Sequence, residues 1–395
     1  MSDGDPLLTA KQNASLANLM NKRAKWADAE RLAKEGVSML GPGEGEEGEP
    51  TRIELNFQWA RSRWLRGDTA GALRILDDTI AAAKRLGDRG HPSLASLLRQ
   101  RATVLAAIGR YGEAERDLRD ALALLDEQNP LILNQARQTL ALLRAVEGDA
   151  TEAHRLAATA LIDTMHVYGP SHVETGRAWL TIAKTWRTCR SDGRRARVAL
   201  QRAEAIMASQ LGAAHPVLEE VLGMRAALEM ERGEPRTAAA YARRAAAIAL
   251  RTQGRGHSAT WRRTNDLASV LIVIARESEG DARRALYREA DALLSAAIDD
   301  SERAGKPFGD LYSNRVGPLL FFGRIDEAER HARIGQEAAE VPKQSEIDRH
   351  NAEFARLRVR WSRGYRDEAS ARLGSLRRRL TASDGRLETQ GDMRF

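Results

Sequence analysis

The sequence predicts an all-α fold of about nine antiparallel helix pairs stacked as a solenoid. Three observations carry that prediction. A short phrase recurs with a period near 42 residues along the chain, the apolar residues between recurrences follow helical spacing, and strand-like alternation is absent.

The phrase is a Gly or small residue, a short polar turn, and then an Ala inside a helix with another small residue seven positions on. Its clearest copy is Gly109-Arg-Tyr111-Gly-Glu-Ala114, with Ala121 following. The anchor alanines are 29, 72, 114, 153, 196, 238, 290, 328 and 369, and their spacings are 43, 42, 39, 43, 42, 52, 38 and 41. Residues seven apart lie two helical turns apart on one face, so Ala114 and Ala121 let a neighbouring helix approach closely. Gly109 suits the left-handed end of the preceding helix. Between anchors runs a second amphipathic helix, such as the one carrying Leu94, Leu97, Leu98, Ala102 and Leu105. Neither helix buries its apolar stripe alone, so stacking must supply the core.

In chain order, residues 1–40 read as a degenerate first helix pair. Residues 41–50, Gly-Pro-Gly-Glu-Gly-Glu-Glu-Gly-Glu-Pro, read as an acidic flexible linker. Residues 51–381 read as the repeat array proper. The 52-residue spacing before Ala290 predicts an extended hairpin around Glu277 to Arg288. The Arg-rich helix over 365–380 is expected to be a polar cap, and residues 382–395 a disordered tail.

Composition narrows the function classes. The chain has 395 residues, 43% hydrophobic and 30% charged, which suits a folded, soluble array. Aromatics at 5% are too sparse for a base-stacking platform. The 62 Lys and Arg against 55 Asp and Glu leave a mild +7, and only eight of the basic residues are Lys. Cys189 is the sole cysteine, which excludes an internal disulfide and a cysteine-based zinc site. The N-terminus lacks a secretory pattern, and the longest apolar run, Leu267 to Ala275, is too short to span a membrane. A cytoplasmic setting is therefore expected.

These repeats resemble the tetratricopeptide repeat, and the period near 42 is similar to its kinesin-light-chain type. A second signature carries the resemblance: Leu86-Gly87…His91-Pro92, Tyr168-Gly169…His172, Leu211-Gly212…His215-Pro216 and Gly254…His257. The resemblance implies a right-handed superhelix with first helices lining a concave groove and second helices on the convex side. It also implies that polar pairs a few residues after the His-Pro turn reach an extended peptide. At those repeat positions stand Arg99-Gln100, Gln138-Thr139, Asn265-Asp266 and Ser313-Asn314. Only Asn265 and Asn314 keep the family residue. Amide and guanidinium groups still suit a peptide's carbonyls and carboxylates.

The remaining motifs read as structure. His91, His172, His215 and His257 recur one repeat apart, too far to share an ion, and are expected to cap helices. Gly43, Gly45 and Gly48 formally satisfy G-x-G-x-x-G, but Glu44, Glu46 and Glu47 would repel a pyrophosphate. Cys189 has the setting of a packing thiol, which Arg187 and Arg190 would activate only if it were exposed. No catalytic phrase is present, so no enzyme and no cofactor or metal is expected. The tryptophans fall at core-like spacing; Trp179 and Trp186 are expected to fill one inter-repeat seam, and Trp64 to lie nearest the groove.

Charge is uneven. From Arg187 to Arg288 there are nineteen Arg against eleven Asp or Glu. Arg194, Arg195, Arg197, Arg202, Arg243 and Arg244 lie on second helices there and form a candidate basic ridge. The leading expectation is a non-catalytic scaffold that binds a protein or peptide partner, with an acidic or extended segment, in the concave groove. The alternative is a regulatory or sensor subunit acting on a separate effector. Nucleic-acid binding through the ridge ranks third; neither a nucleic-acid nor a membrane partner is expected.

Overall fold

The computed structural model describes residues 5–383 except 24, 42–44, 88–90, 126–128, 190–191, 306 and 340–345. It resolves into two compact units, residues 1–221 and 222–395. The described residues form eighteen helices and no strand.

The first unit holds α1 (Pro6–Lys22), α2 (Trp26–Met39), α3 (Gly45–Leu65), α4 (Thr69–Arg85), α5 (His91–Ala107), α6 (Tyr111–Ala123), α7 (Pro130–Glu147), α8 (Ala150–Tyr168), α9 (Val173–Thr188) and α10 (Gly193–Leu211). The division falls within α11 (Val217–Glu231). The second unit continues with α12 (Pro235–Gln253), α13 (Ser258–Glu277), α14 (Gly280–Arg303), α15 (Gly309–Phe321), α16 (Ile325–Ala339), α17 (Glu346–Ser362) and α18 (Arg366–Ser383).

The solenoid expectation is what each unit shows. All nine anchor alanines are 0% exposed, one in the first turns of each even-numbered helix or, in α14, further along it. A methyl group there is the largest side chain the close helix approach admits, and leucines such as Leu76, Leu118, Leu200 and Leu294 fill the space beside it. The turn before α6 shows how a pair closes. Gly109 takes φ 78°, and Arg110 N–H reaches back to Leu105 O at 2.9 Å, a Schellman arrangement that satisfies the end of α5.

Within each unit the odd-numbered helices touch the next odd helix: α1, α3, α5, α7 and α9 in succession, and α13, α15 and α17 likewise. No even–even pair packs comparably. The odd layer therefore has the tighter radius and forms the concave side, as the resemblance implies. In the first unit that layer turns far enough for its ends to meet. His215 Nδ1 accepts the Val217 N–H at 3.3 Å, which leaves Nε2–H to donate to Lys22 O at the end of α1, 3.0 Å away.

The histidines do cap helices. His172 and His257 accept the N–H of Glu174 and Ala259 through Nδ1, at 3.2 and 3.1 Å, and His215 does the same for Val217. Thr175 and Thr260 lock the same turn by donating to Gly169 O and Gly254 O, each at 2.7 Å. The side chain of His91 lies outside the described residues.

Two sequence expectations meet a different outcome. Helix α3 begins at Gly45, inside the stretch read as a linker, and Glu49 pairs with Arg52 one turn on at 3.6 Å. Residues 42–44, and with them Gly43 of the glycine motif, lie outside the described residues, as does the tail from residue 384. The long spacing before Ala290 is absorbed by α14 itself, a 24-residue helix that starts ten residues before its anchor. Arg283 ties that extension down by donating to Ala275 O and Arg276 O. The cap helix expected over 365–380 is α18.

Candidate binding groove

The concave side of the first unit is polar, and its polar groups are donors with few acceptors. Asn21, Gln58 and Ser62 satisfy one another between α1 and α3. Beyond them the balance fails. Arg99 Nε and Gln100 Nε2 on α5, Asn134 Nδ2 on α7 and Arg177 Nε on α9 are all buried without an accepting partner in the protein. Arg177 Nε lies 3.4 Å from Glu174 Oε1, an ion pair without hydrogen-bond geometry, and Gln135 Nε2 donates to the other oxygen of Glu174 at 3.3 Å.

Arg61 on α3 joins this group electrostatically. Burial lowers the Arg99 guanidinium to about 10, and repulsion from Arg61 and Arg177 adds to that, with Glu174 opposing. Burial likewise lowers Arg61 to about 10, with repulsion from Arg177 opposed by Glu174 and Glu54. Arg177 pairs with Glu174, and the charges of Arg61 on α3 and Arg99 on α5 act on the same carboxylate at longer range. Sequence reasoning singled out Arg99 and missed Arg61 and Arg177: they sit at different positions of their repeats, so no alignment by period brings them together.

The other first-unit candidates are used internally. Gln138 Oε1 accepts from Thr181 Oγ1 at 3.1 Å, linking α7 to α9. Thr139 spends its hydroxyl on Gln135 O of its own helix.

In the second unit the predicted asparagines do meet. Asn314 Nδ2 donates to Asn265 Oδ1 at 2.9 Å and to Ser269 Oγ at 3.0 Å, joining α15 to α13. Asp266 pairs with Arg263 at 2.8 Å. Ser313 faces α16: a Cβ on Gly335 would lie 2.4 Å from its Oγ. Two residues on, Arg315 Nε donates to Asp291 Oδ1 at 2.7 Å and approaches Glu327 at 3.5 Å, and Arg324 completes the same network. Burial, with Arg315 adding repulsion, drives the imidazole of His331 down to about 4 beside this network. Arg358 on α17 is also lowered to about 10 by burial and by Arg276.

The basic-ridge candidates lie on even helices, as expected, but most are engaged. On α10, Arg195 sits 3.4 Å from Asp192 and over the Trp186 ring, and Arg202 lies over Trp179. Arg194 is exposed and Arg197 half-buried. On α12, Arg243 pairs with Glu289 at 2.9 Å, and Arg244 beside it is exposed. Trp179 and Trp186 do not fill an inter-repeat seam: both are half-buried and line an open cleft of about 480 Å³ with Ile182, Arg194 and Val198. The indole of Trp186 stacks on His154 at 3.8 Å, so the ring is held by polar neighbours at the surface. Trp64 is half-buried against the core cluster of α3, α4 and α5.

Cys189 is not activated. Burial raises its thiol, helped by Asp149, and Arg190 lies outside the described residues. Among the described residues no group of three His, Cys, Asp or Glu side chains is placed to hold a metal. No described helix is long and apolar enough to cross a membrane.

Residues 52–127 match the family model of the tetratricopeptide repeat. A Rap protein complexed with competence and sporulation factor is similar in structure, with a TM-score of 0.58 at 12% identity, over 95% of this chain and 99% of that one. The apo form of the quorum sensor NprR from B. thuringiensis also scores 0.58, at 14% identity, over 93% and 97%. Kinesin-light-chain TPR-like repeats from Podosopora anserina align at 20% identity over 53% and 99%, with a TM-score of 0.39. The sequence matches no curated protein. The tetratricopeptide resemblance is thus shown by sequence across 52–127 and by fold along most of the chain.

Proposed function

We propose that this chain is a non-catalytic interaction protein that takes an extended peptide, or an extended segment of a partner protein, along the concave odd-helix layer of its first unit. One observation carries the reading: four buried donors on α5, α7 and α9, from Arg99, Gln100, Asn134 and Arg177, have no hydrogen-bond acceptor among the described residues. A buried donor left unmade costs about 1–3 kcal/mol, and a peptide backbone offers a regular row of carbonyl acceptors. Preformed helices keep the ordering cost on the receptor side small.

The regulatory reading is the refinement we favour. The similar Rap structure holds competence and sporulation factor, and the similar NprR is a quorum sensor. By that analogy, occupancy of the groove would control a separate effector, with binding transmitted by small changes between repeats. Nucleic-acid recognition by the arginines of α10 and α12 has less support, since Arg195, Arg202 and Arg243 already stack or pair.

The test begins with affinity capture of a partner from native lysate under nuclease treatment and moderate salt, followed by titration of its mapped binding segment. Gln100→Leu and Asn134→Leu remove two of the four donors. Each should weaken binding about fivefold while leaving the melting temperature within a degree or two. Unchanged affinity in both variants would move the site off this layer. Capture lost on nuclease treatment would transfer the function to the α10 and α12 arginines.

A further inference from the structure

We propose that the cleft between α16, α17 and α18 is an oligophosphate-binding site, separate from the first-unit groove. The cleft has a volume of about 730 Å³, within the usual range for small-molecule sites. Four arginines line it: Arg349, Arg356 and Arg360 of α17 and Arg372 of α18.

The preceding repeat shows the same seam in a closed form. Ala328 and Ala369 anchor consecutive repeats 41 residues apart, so each residue of the cleft has an equivalent 41 positions earlier. Arg349 stands in the place of Phe308, Glu353 of Tyr312, Arg360 of Leu319 and Arg372 of His331. Tyr312, Leu319 and His331 are buried, and Phe308 packs on the core. Where the earlier seam is filled with uncharged side chains, this one is lined with charge, and three of the four changes are to arginine. Arg356 keeps the type of its equivalent, Arg315, but not its partners. Asp291 at 2.7 Å and Glu327 at 3.5 Å answer Arg315, whereas Arg356 donates to the amide oxygen of Gln336.

The cleft is not neutral. Arg360 pairs with Glu368, and Glu353 is the one carboxylate among the described lining residues. Against those two carboxylates, the four guanidiniums leave an excess of two positive charges. Arg349 and Arg372 are exposed and make no ion pair or hydrogen bond with a described residue. Arg349, Glu353, Arg356 and Arg360 follow the spacing of a single helical face, as do Glu368, Arg372 and Ser375 on α18. The guanidiniums are therefore directed into one space.

A terminal phosphate brings about two negative charges and three acceptor oxygens in one group, which matches that excess. Guanidinium forks take phosphate bidentately. The α17 arginines are spread over about 16 Å of helix, so a row of phosphates engages more of them than a single one does. Leu357 and Ala339, both buried in the cleft wall, add an apolar strip against which a nucleoside would lie. Inorganic oligophosphate and a nucleotide share this chemistry.

The experiment is calorimetric titration of the full chain with tripolyphosphate, ATP and citrate, for wild type, Arg349→Gln, Arg372→Gln, the double variant and Arg372→Lys. Tripolyphosphate should bind the wild type at least about tenfold more tightly than citrate, and each single Gln variant should weaken it about fivefold. The double variant should lose about 25-fold, and Arg372→Lys, which keeps charge without the fork, should fall between wild type and Arg372→Gln. Both arginines are exposed, so the variants should melt as the wild type does, and tripolyphosphate should raise the melting temperature of the wild type but not of the double variant. ATP binding no more tightly than tripolyphosphate identifies free oligophosphate as the ligand; tighter binding identifies a nucleotide. Equal binding of citrate and tripolyphosphate would overturn the phosphate assignment. Binding of neither, or binding that the double variant retains, would overturn the site. An oligothymidylate bound more tightly than tripolyphosphate, and lost in the double variant, would reassign the cleft to nucleic acid.

Discussion

The two units are built from the same repeat, and two sets of their inward-facing polar groups differ in how they are answered. In the second unit, Arg315 is answered by Asp291 and Glu327, and Asn314 by Asn265 and Ser269. In the first unit, Arg61 and Arg99 meet no carboxylate within bonding distance, and the donors of Gln100 and Asn134 find no acceptor. Donor groups closed on themselves rigidify a stack; donor groups left open recognise something. Two equivalent positions in a repeat can therefore do different work, and the accounting of acceptors separates them. Arg358 in the second unit is likewise lowered to about 10 by burial beside Arg276.

The largest effect that would test this contrast is at Arg315. Arg315→Ala removes the buried cation and leaves Asp291 and Glu327 to the more exposed Arg324 alone, and unfolding in urea should show a loss of about 3 kcal/mol. A loss under about 1 kcal/mol would mean that the second-unit network is not structural.

His331 gives the next effect, and it is confined to the second unit. Its folded-state value near 4 lies below the ordinary 6.5, so the unfolded chain binds the proton more readily between those limits. The stability contributed by the neutral imidazole is complete above about pH 6.5 and is lost as pH falls towards 4, by about 2 to 3 kcal/mol. His331→Gln should flatten that part of the stability–pH curve. An unchanged slope would place the acid sensitivity elsewhere.

The smallest effect concerns the first unit. His215→Ala removes both a helix cap and the donation to Lys22 O, and should cost about 1 kcal/mol. Hydrogen exchange should report the loss at the end of α1 as well as at the start of α11. Protection lost only at α11 would show that the closure of the first unit does not depend on this contact.

Much of the fold was legible because it rests on local rules. The anchor alanines could be read as seam residues before any coordinates existed, since only a small side chain tolerates that spacing, and all nine are fully buried. The capping histidines were legible for the same reason: a cap is decided within three residues of chain. The candidate site was legible only in part. Arg99 and Gln100 were identified by repeat position, and Asn265 and Asn314 proved to touch each other as well as occupying equivalent places. Thr139 and Ser313 turned away, one bonding its own helix and the other packed on α16, because neighbouring positions on a helix differ by about 100°. Trp179 and Trp186 looked like core and are half-buried, since arginines of α10, Arg202 and Arg195, cover their faces in place of apolar side chains.

By itself, the amino-acid sequence determined that this chain is all-helical, where its pairs begin and end, and which residues make the seams. Those properties depend on helical periodicity, on glycine at the turns and on side-chain size, all expressed over a few residues. Only the tertiary structure decided that Arg61, Arg99 and Arg177, from three different repeats, lie near enough to act on one another's charge. That convergence depends on the curvature summed over α3 to α9, a small rotation per repeat that no single repeat encodes.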